Sequence, residues 1–136
     1  MEAMIRITYS DVRKPMANDV ARVFQSSGIK RPSDDLARIQ KMIDSATLIV
    51  SAWDGEKLVG LARALTDYSY CCYLSDLAVD GSYQKHGIGN ELVSRIQNQI
   101  GEQCSLVLLS APGALDYYPK LGFEKADNAF VIKRKR

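Results

Sequence analysis

Between Gln84 and Asn90 the chain reads QKHGIGN, and an apolar pattern at helical spacing begins inside it. Gly87 and Gly89 stand where that helix starts. The first N–H groups of a helix have no intrahelical partners, and the helix dipole leaves a partial positive charge there. Glycines let a main chain approach an anion closely and adopt dihedrals that other residues resist. The chemistry this stretch suits is binding of a phosphate-type anion through main-chain N–H groups. It is not a Walker loop, because no Gly-Lys-Ser/Thr follows. It is not the dinucleotide fingerprint either, because the third glycine is missing. The same glycines would equally serve a plain strand-to-helix turn. Lys85 and His86, the chain's one histidine, could meet phosphate oxygens or only solvent.

The elements that must hold this stretch follow from periodicity. Residues 4–9 alternate as a first strand would. From Pro15 a helical pattern carries Val20, Val23 and Phe24 and ends near Ser27-Gly28. A loop spans 28–32, and Ser33 is the expected N-cap of a second helix with Leu36, Ile39 and Ile43 on one stripe. TLIVSAW (47–53) reads as a strand, Asp54-Gly55 as a hairpin turn, and KLVGLARAL (57–65) as its partner strand. Residues 70–79 give another strand, leading directly into the Gly-rich turn. The helix after Gly87 carries Leu92, Val93, Ile96 and Ile100. SLVLLS (105–110) is nearly all apolar, as suits a strand covered on both faces. A short helix over 115–120 and one or two strands within 123–135 complete the order. The reading is one α/β (α+β mixed) domain over residues 1–136, without repeats or linkers.

Composition narrows the function classes. With 136 residues, 46% hydrophobic, 25% charged and a net charge of +2, the chain is neither disordered nor strongly basic. A nucleic-acid partner is not expected, because the basic run KRKR (133–136) is short and suits a solvated strand end. No membrane span is expected, since no apolar run is long enough. Three cysteines, two of them adjacent, suit reduced thiols better than disulfides or a metal site, so no metal is expected. No secretory signal stands at the start of this sequence, and the expected place is the cytoplasm.

Three motifs in the right order carry a more specific resemblance. Gln84-x-x-Gly87-x-Gly89, YYPKLGF (Tyr117 to Phe123) and KLVGLAR (Lys57 to Arg63) are similar to the signature segments of the GNAT superfamily, the acetyl-CoA-dependent N-acetyltransferases. The resemblance implies a mixed, mostly antiparallel sheet with helices on both faces, splayed between the strands at 70–79 and 105–110. It implies that acetyl-CoA is the co-substrate, held at its pyrophosphate by the main chain of Gln84, Lys85, His86, Gly87, Ile88, Gly89 and Asn90. Its pantetheine arm would pair with Leu77, Ala78 and Val79 as an added strand. An N–H there would polarise the thioester carbonyl and stabilise a tetrahedral intermediate. Tyr118 matches the residue that protonates the departing thiolate, and Tyr117 is read as packing. A primary amine, on a small molecule or a peptide, would be the acceptor. Asp76 and Glu91 are weighed as bases for it and neither is assigned.

The sequence also departs from the family's pattern. Ser110-Ala111-Pro112 stands where an asparagine often touches pantetheine, and Pro119 follows Tyr118 directly. The alternative reading is a catalytically degenerate coenzyme A-binding sensor or interaction module. The acceptor site would form around residues 24–34, whose Lys30 and Arg31 disfavour a polycationic acceptor while Asp34 and Asp35 stand close by. Monomer and homodimer are both open.

Overall fold

The computed structural model describes residues 6–136, so the first part of the strand expected over 4–9 lies outside the described residues. The chain forms β1 (Thr8–Ser10), α1 (Ala17–Ser27), α2 (Leu36–Ser45), β2 (Leu48–Asp54), β3 (Lys57–Thr66), β4 (Cys71–Val79), α3 (Ile88–Ile100) and β5 (Ser105–Val107). Single turns of 3-10 helix stand at Gly81–Tyr83, Pro112–Ala114 and Tyr118–Leu121. The sheet order is β1-β2-β3-β4-β5. The first three pairings are antiparallel and β4–β5 is parallel. A parallel pair needs a crossover connection, and α3 supplies it.

Two apolar cores lie on opposite faces of this sheet. On one face α1 buries Val20, Val23 and Phe24, and α2 buries Ile39 and Ile43, against Trp53, Leu58, Leu61 and Ala78. On the other, α3 buries Ile88, Leu92, Val93, Ile96 and Ile100 against Val50, Val59, Ala62, Cys72 and Leu74. The mixed α/β class, the mostly antiparallel sheet and the helices on both faces are as expected from the sequence. Cys72 is buried while Cys71 is exposed, as adjacent residues of a strand must be.

Two features of the sheet open a cleft. Pairing of β4 with β5 runs only from Cys71–Ser105 to Tyr73–Val107, and beyond it the strands part. This is the expected splay. Second, β4 bulges against β3. Arg63 stands opposite Asp76 and Ala64 opposite Leu74, so Ser75 has no partner. An extra residue reverses which face each later side chain meets. Cys72 and Leu74 accordingly pack toward α3, whereas Ala78 packs toward α1 and α2.

Several local expectations change. The N-cap of α2 is Asp35, whose carboxylate accepts from the Arg38 N–H at 3.1 Å, and not Ser33. β5 is shorter than 105–110 and is covered on one face only: Leu106 and Leu108 pack on the α3 core, while Val107 and Leu109 are about half exposed. The helix expected over 115–120 is a pair of 3-10 turns, because Pro119 removes a donor and prevents a longer helix. No strand forms within 123–135, where nothing among the described residues pairs with the chain; Phe130 and Ile132 are almost fully exposed. The Val59-Gly60 pair lies in the interior of β3, as the strand expected over 57–65 requires. A Cβ on Gly60 would stand 3.2 Å from Ile88 Cγ2 and 3.3 Å from the Ala78 oxygen, so glycine is what lets α3 sit this close to β3.

Ile96 is fully buried at the centre of the α3 core. Ile96→Ala removes three carbons there and leaves a cavity, and should destabilise the fold by about 2–5 kcal/mol, read as a lower midpoint in urea at unchanged slope.

Candidate functional site

The end of β4 runs directly into the start of α3. The Gln84 side chain turns back, its Nε2 donating to the Val79 oxygen at 3.1 Å, and ties the turn to the strand end. Lys85 and Gly87 both take left-handed backbone conformations, with φ of 71° and 76°. Alternating conformations of this kind turn successive N–H groups to one side, as in an anion-binding nest. Gly87 is the N-cap of α3 and provides no side-chain acceptor, so the first N–H groups of the helix stay available. Gly89 is buried, and a Cβ on it would come within 2.2 Å of the Tyr117 hydroxyl. The Gly-rich stretch therefore needs its glycines for two separate reasons, backbone dihedral at Gly87 and close approach at Gly89.

This nest opens into a cleft of about 1130 Å³. One wall is β4 from Leu74 to Val79, released from β5 by the splay. The opposite wall is Leu108 to Ala114 with Tyr117 and Tyr118, and the α1–α2 loop closes the far end. Of the residues singled out in the sequence, Leu77, Ala78, Val79, Gln84, Lys85, Gly87, Ile88, Gly89, Asn90 and Tyr118 all line this one cleft; His86 does not and is solvent-exposed. Ser110, Ala111 and Pro112 line it where an amide side chain was missed.

Tyr118 is half-buried and packs edge-on against Tyr117 and Phe123, with ring centroids 5.3 and 5.7 Å away. Burial raises the pKa of its hydroxyl; the neighbouring Tyr117 adds to this, and Arg31 partly opposes it. A raised pKa keeps the O–H protonated at neutral pH, the form that can donate. Tyr117, read from sequence as packing, also reaches the nest, with its hydroxyl against Gly89.

Neither carboxylate weighed as a base is available. Asp76 is fully buried, accepts from Arg31 Nε at 2.5 Å and from Arg63 Nε, and does not line the cleft. Arg31 also donates to the Ser75 oxygen at 2.7 Å, and Arg63 to Ser75 Oγ at 2.9 Å. Through these bonds the bulge holds the α1–α2 loop. Glu91 pairs with Arg95 at 2.9 Å on the exposed side of α3. Among the described residues no cluster of three His, Cys, Asp or Glu comes together to hold a metal.

The cleft has basic residues that the sequence reading did not collect. Lys30 and Arg31 from the α1–α2 loop, Arg38 from α2, and Arg134 and Arg136 from the last segment all border it. The signal was present as the KRKR run, but nothing in the linear order places it beside α2.

A strand edge released by splaying leads here into an uncapped helix start, an arrangement able to accept an extended ligand that carries phosphate. Comparison with known proteins agrees. Residues 15–134 match the family described as acetyltransferase (GNAT) domain, and the chain belongs to that family. It is 27% identical over 121 residues to an uncharacterised ycf52-like N-acetyltransferase of Prochlorococcus marinus, covering 85% of this chain and 66% of the relative. It is 31% identical over 105 residues to the chloroplastic GCN5-related N-acetyltransferase 1 of Arabidopsis thaliana, covering 74% of this chain and 52% of the relative. The chain spans 30% to 66% of the length of the first curated relatives it matches. Among solved structures, a Staphylococcus aureus protein described as a probable acetyltransferase superposes with a TM-score of 0.81 at 21% identity, covering 95% of this chain and 100% of that one. The aminoglycoside N-acetyltransferase AAC(6')-Iy, solved with CoA, gives 0.73 at 14% identity, covering 100% and 99%. These structural likenesses show a shared fold.

Asp76→Ala would leave the Arg63 guanidinium buried without its carboxylate. The cost should be about 3–5 kcal/mol of stability in chemical denaturation, well above that of an exposed Asp→Ala control such as Asp127→Ala.

Proposed function

We propose that this chain is an acetyl-CoA-dependent N-acetyltransferase acting on a primary amine. The observation that carries the reading is the continuity of the unpaired β4 edge with the uncapped N-terminus of α3 inside one cleft that also contains Tyr118. The shared fold of an acetyltransferase solved with CoA supports it.

The residues present fit the coenzyme. The N–H groups of Ile88, Gly89 and Asn90, with the backbone of Lys85 to Gly87, would hold the pyrophosphate. The main-chain groups along Leu77, Ala78 and Val79 that β3 and the Gln84 side chain leave free would pair with the pantetheine arm as an added strand. Bound there, acetyl-CoA supplies an acetyl group as a thioester open to a neutral amine. A main-chain N–H of the β4 edge polarises the thioester carbonyl. Tyr118 donates its phenolic proton to the departing sulfur and regains one from solvent. The amine's own proton leaves to water, since Asp76 and Glu91 are both held in ion pairs.

Acetyl-CoA should raise the melting temperature by roughly 8 °C at a hundredfold excess over Kd, with ATP and NAD giving no shift. Gly89→Val drives side-chain atoms into the Tyr117 hydroxyl at the start of α3, disturbs the cradle and should lose that shift; binding as in the parent protein would overturn the assignment. Tyr118→Phe should lower kcat by about 100-fold with the KM for acetyl-CoA within about twofold, and the alkaline limb of the parent kcat profile should lie above the ordinary tyrosine value, near pH 10. Selective acetyl-CoA binding with no thiol release across a broad amine panel would instead favour a coenzyme-binding module without turnover.

A further inference from the structure

Every ionisable aliphatic or guanidinium side chain at the far end of the cleft is a cation. Lys30, Arg31, Arg38, Arg134 and Arg136 border it, and among the described residues no aspartate or glutamate lines any part of it. The two acidic residues closest in sequence, Asp34 and Asp35, do not line the cleft, and Asp35 is turned to cap α2. Arg31 is bound to Asp76, but Arg63 shares the same carboxylate, so two guanidiniums meet one carboxylate and a positive charge is left over. Among the described residues Lys30, Arg38, Arg134 and Arg136 have no Asp or Glu carboxylate within ion-pair distance; Arg38 donates instead to the oxygen of Arg136, the last residue, at 3.5 Å.

The location separates these cations from the coenzyme's phosphates. Arg31 meets β4 at Ser75, four residues before Val79, or about 13 Å along the strand from the turn that leads to the nest. It also lies close enough to Tyr118 to bias that hydroxyl electrostatically. Lys85, by contrast, belongs to the nest itself. The basic collar therefore surrounds the end of the cleft where the acceptor must arrive.

We propose that the acceptor amine is carried on a small anionic molecule, one bearing a carboxylate or phosphate that the collar of Lys30, Arg31, Arg38, Arg134 and Arg136 recognises. This rests on the acetyltransferase reading and names its substrate class. The collar attracts the acceptor's anion, repels polycations such as polyamines, and disfavours an ammonium ion close by, so the amine reaches the thioester in its neutral form. That last effect supplies what a dedicated base would otherwise provide.

The test measures kcat/KM by thiol release for matched primary amines: β-alanine and O-phosphoethanolamine as carboxylate and phosphate arms, β-alaninamide as the neutral control and spermidine as the cation. The expected result is at least a tenfold preference for one anionic arm over the neutral amide, weakened by added salt, with spermidine poorest. The arm preferred identifies which anion the collar takes. In the Arg38→Gln/Arg134→Gln/Arg136→Gln variant the preference should fall to within about threefold while the KM for acetyl-CoA stays constant. Equal use of neutral and anionic amines, or a preference for spermidine, overturns the collar and leaves the acetyltransferase reading standing. A variant that instead raises the KM for acetyl-CoA overturns it too, by giving the cations to the coenzyme. Absence of any acetyl-CoA thermal shift overturns the acetyltransferase reading, and the substrate class with it.

Discussion

One unpaired residue in β4 decides which groups can meet in the cleft. Because Ser75 has no partner on β3, side-chain direction reverses after it. Asp76 and Ala78 then face the two N-terminal helices, and Leu77 and Val79 face α3 and the cleft. Without the bulge the same residues would exchange faces, and a carboxylate would sit in the apolar core under α3. The bulge also puts the Ser75 carbonyl within reach of Arg31, which a regular ladder would have turned elsewhere.

The buried ion pairs around that bulge have a positional role. Removing Asp76 from water costs several kcal/mol, and its two arginines offset that cost only because they are held in a fixed geometry. What the arrangement achieves is the anchoring of the α1–α2 loop to β4, through Arg31 at one end and through Ser26, Arg22 and Asp80 at the other. At Asp80 burial opposes ionisation, but hydrogen bonds from the Ser82 N–H and the Ser26 hydroxyl, with Lys57 and Arg22 nearby, outweigh it and hold the carboxyl below its usual range. The loop and the end of α1 are thus tied to β4 and to Asp80 just beyond it. Held in this way, Asp76 stays outside the cleft, which is bordered instead by Tyr118, the β4 edge and cations.

Much of this was legible in the linear order. Helix and strand periods gave the element sequence, and the glycines after a strand pointed to an anion site, because dihedral freedom and uncapped N–H groups are local properties. Gln84 to Asn90 and Tyr118 belong to short motifs whose residues come together with little help from distant parts of the chain. For the His86 side chain the sequence left phosphate and solvent both open, and in the fold it is exposed and does not line the cleft.

What the sequence by itself determined is the class of fold, the order of its main elements and the glycine-bearing turn before α3, all set by interactions among residues near in the chain. Only the tertiary structure decided the rest. The N-cap of α2 went to Asp35 and not Ser33, two residues with equal local claims. The strand expected at 105–110 stops at Val107, where β4 parts from it, and none forms within 123–135, because a strand exists by pairing and no partner lies beside those residues among the described ones. Asp76 became an anchor and not a base because arginines separated from it by 45 and 13 residues converge on it. The basic collar joins residues from 30 to 136, and no periodicity encodes that meeting. Long-range charge and strand pairing depend on where the folded backbone brings distant residues, and that information is carried by the packing of the whole sheet and not by any segment of it.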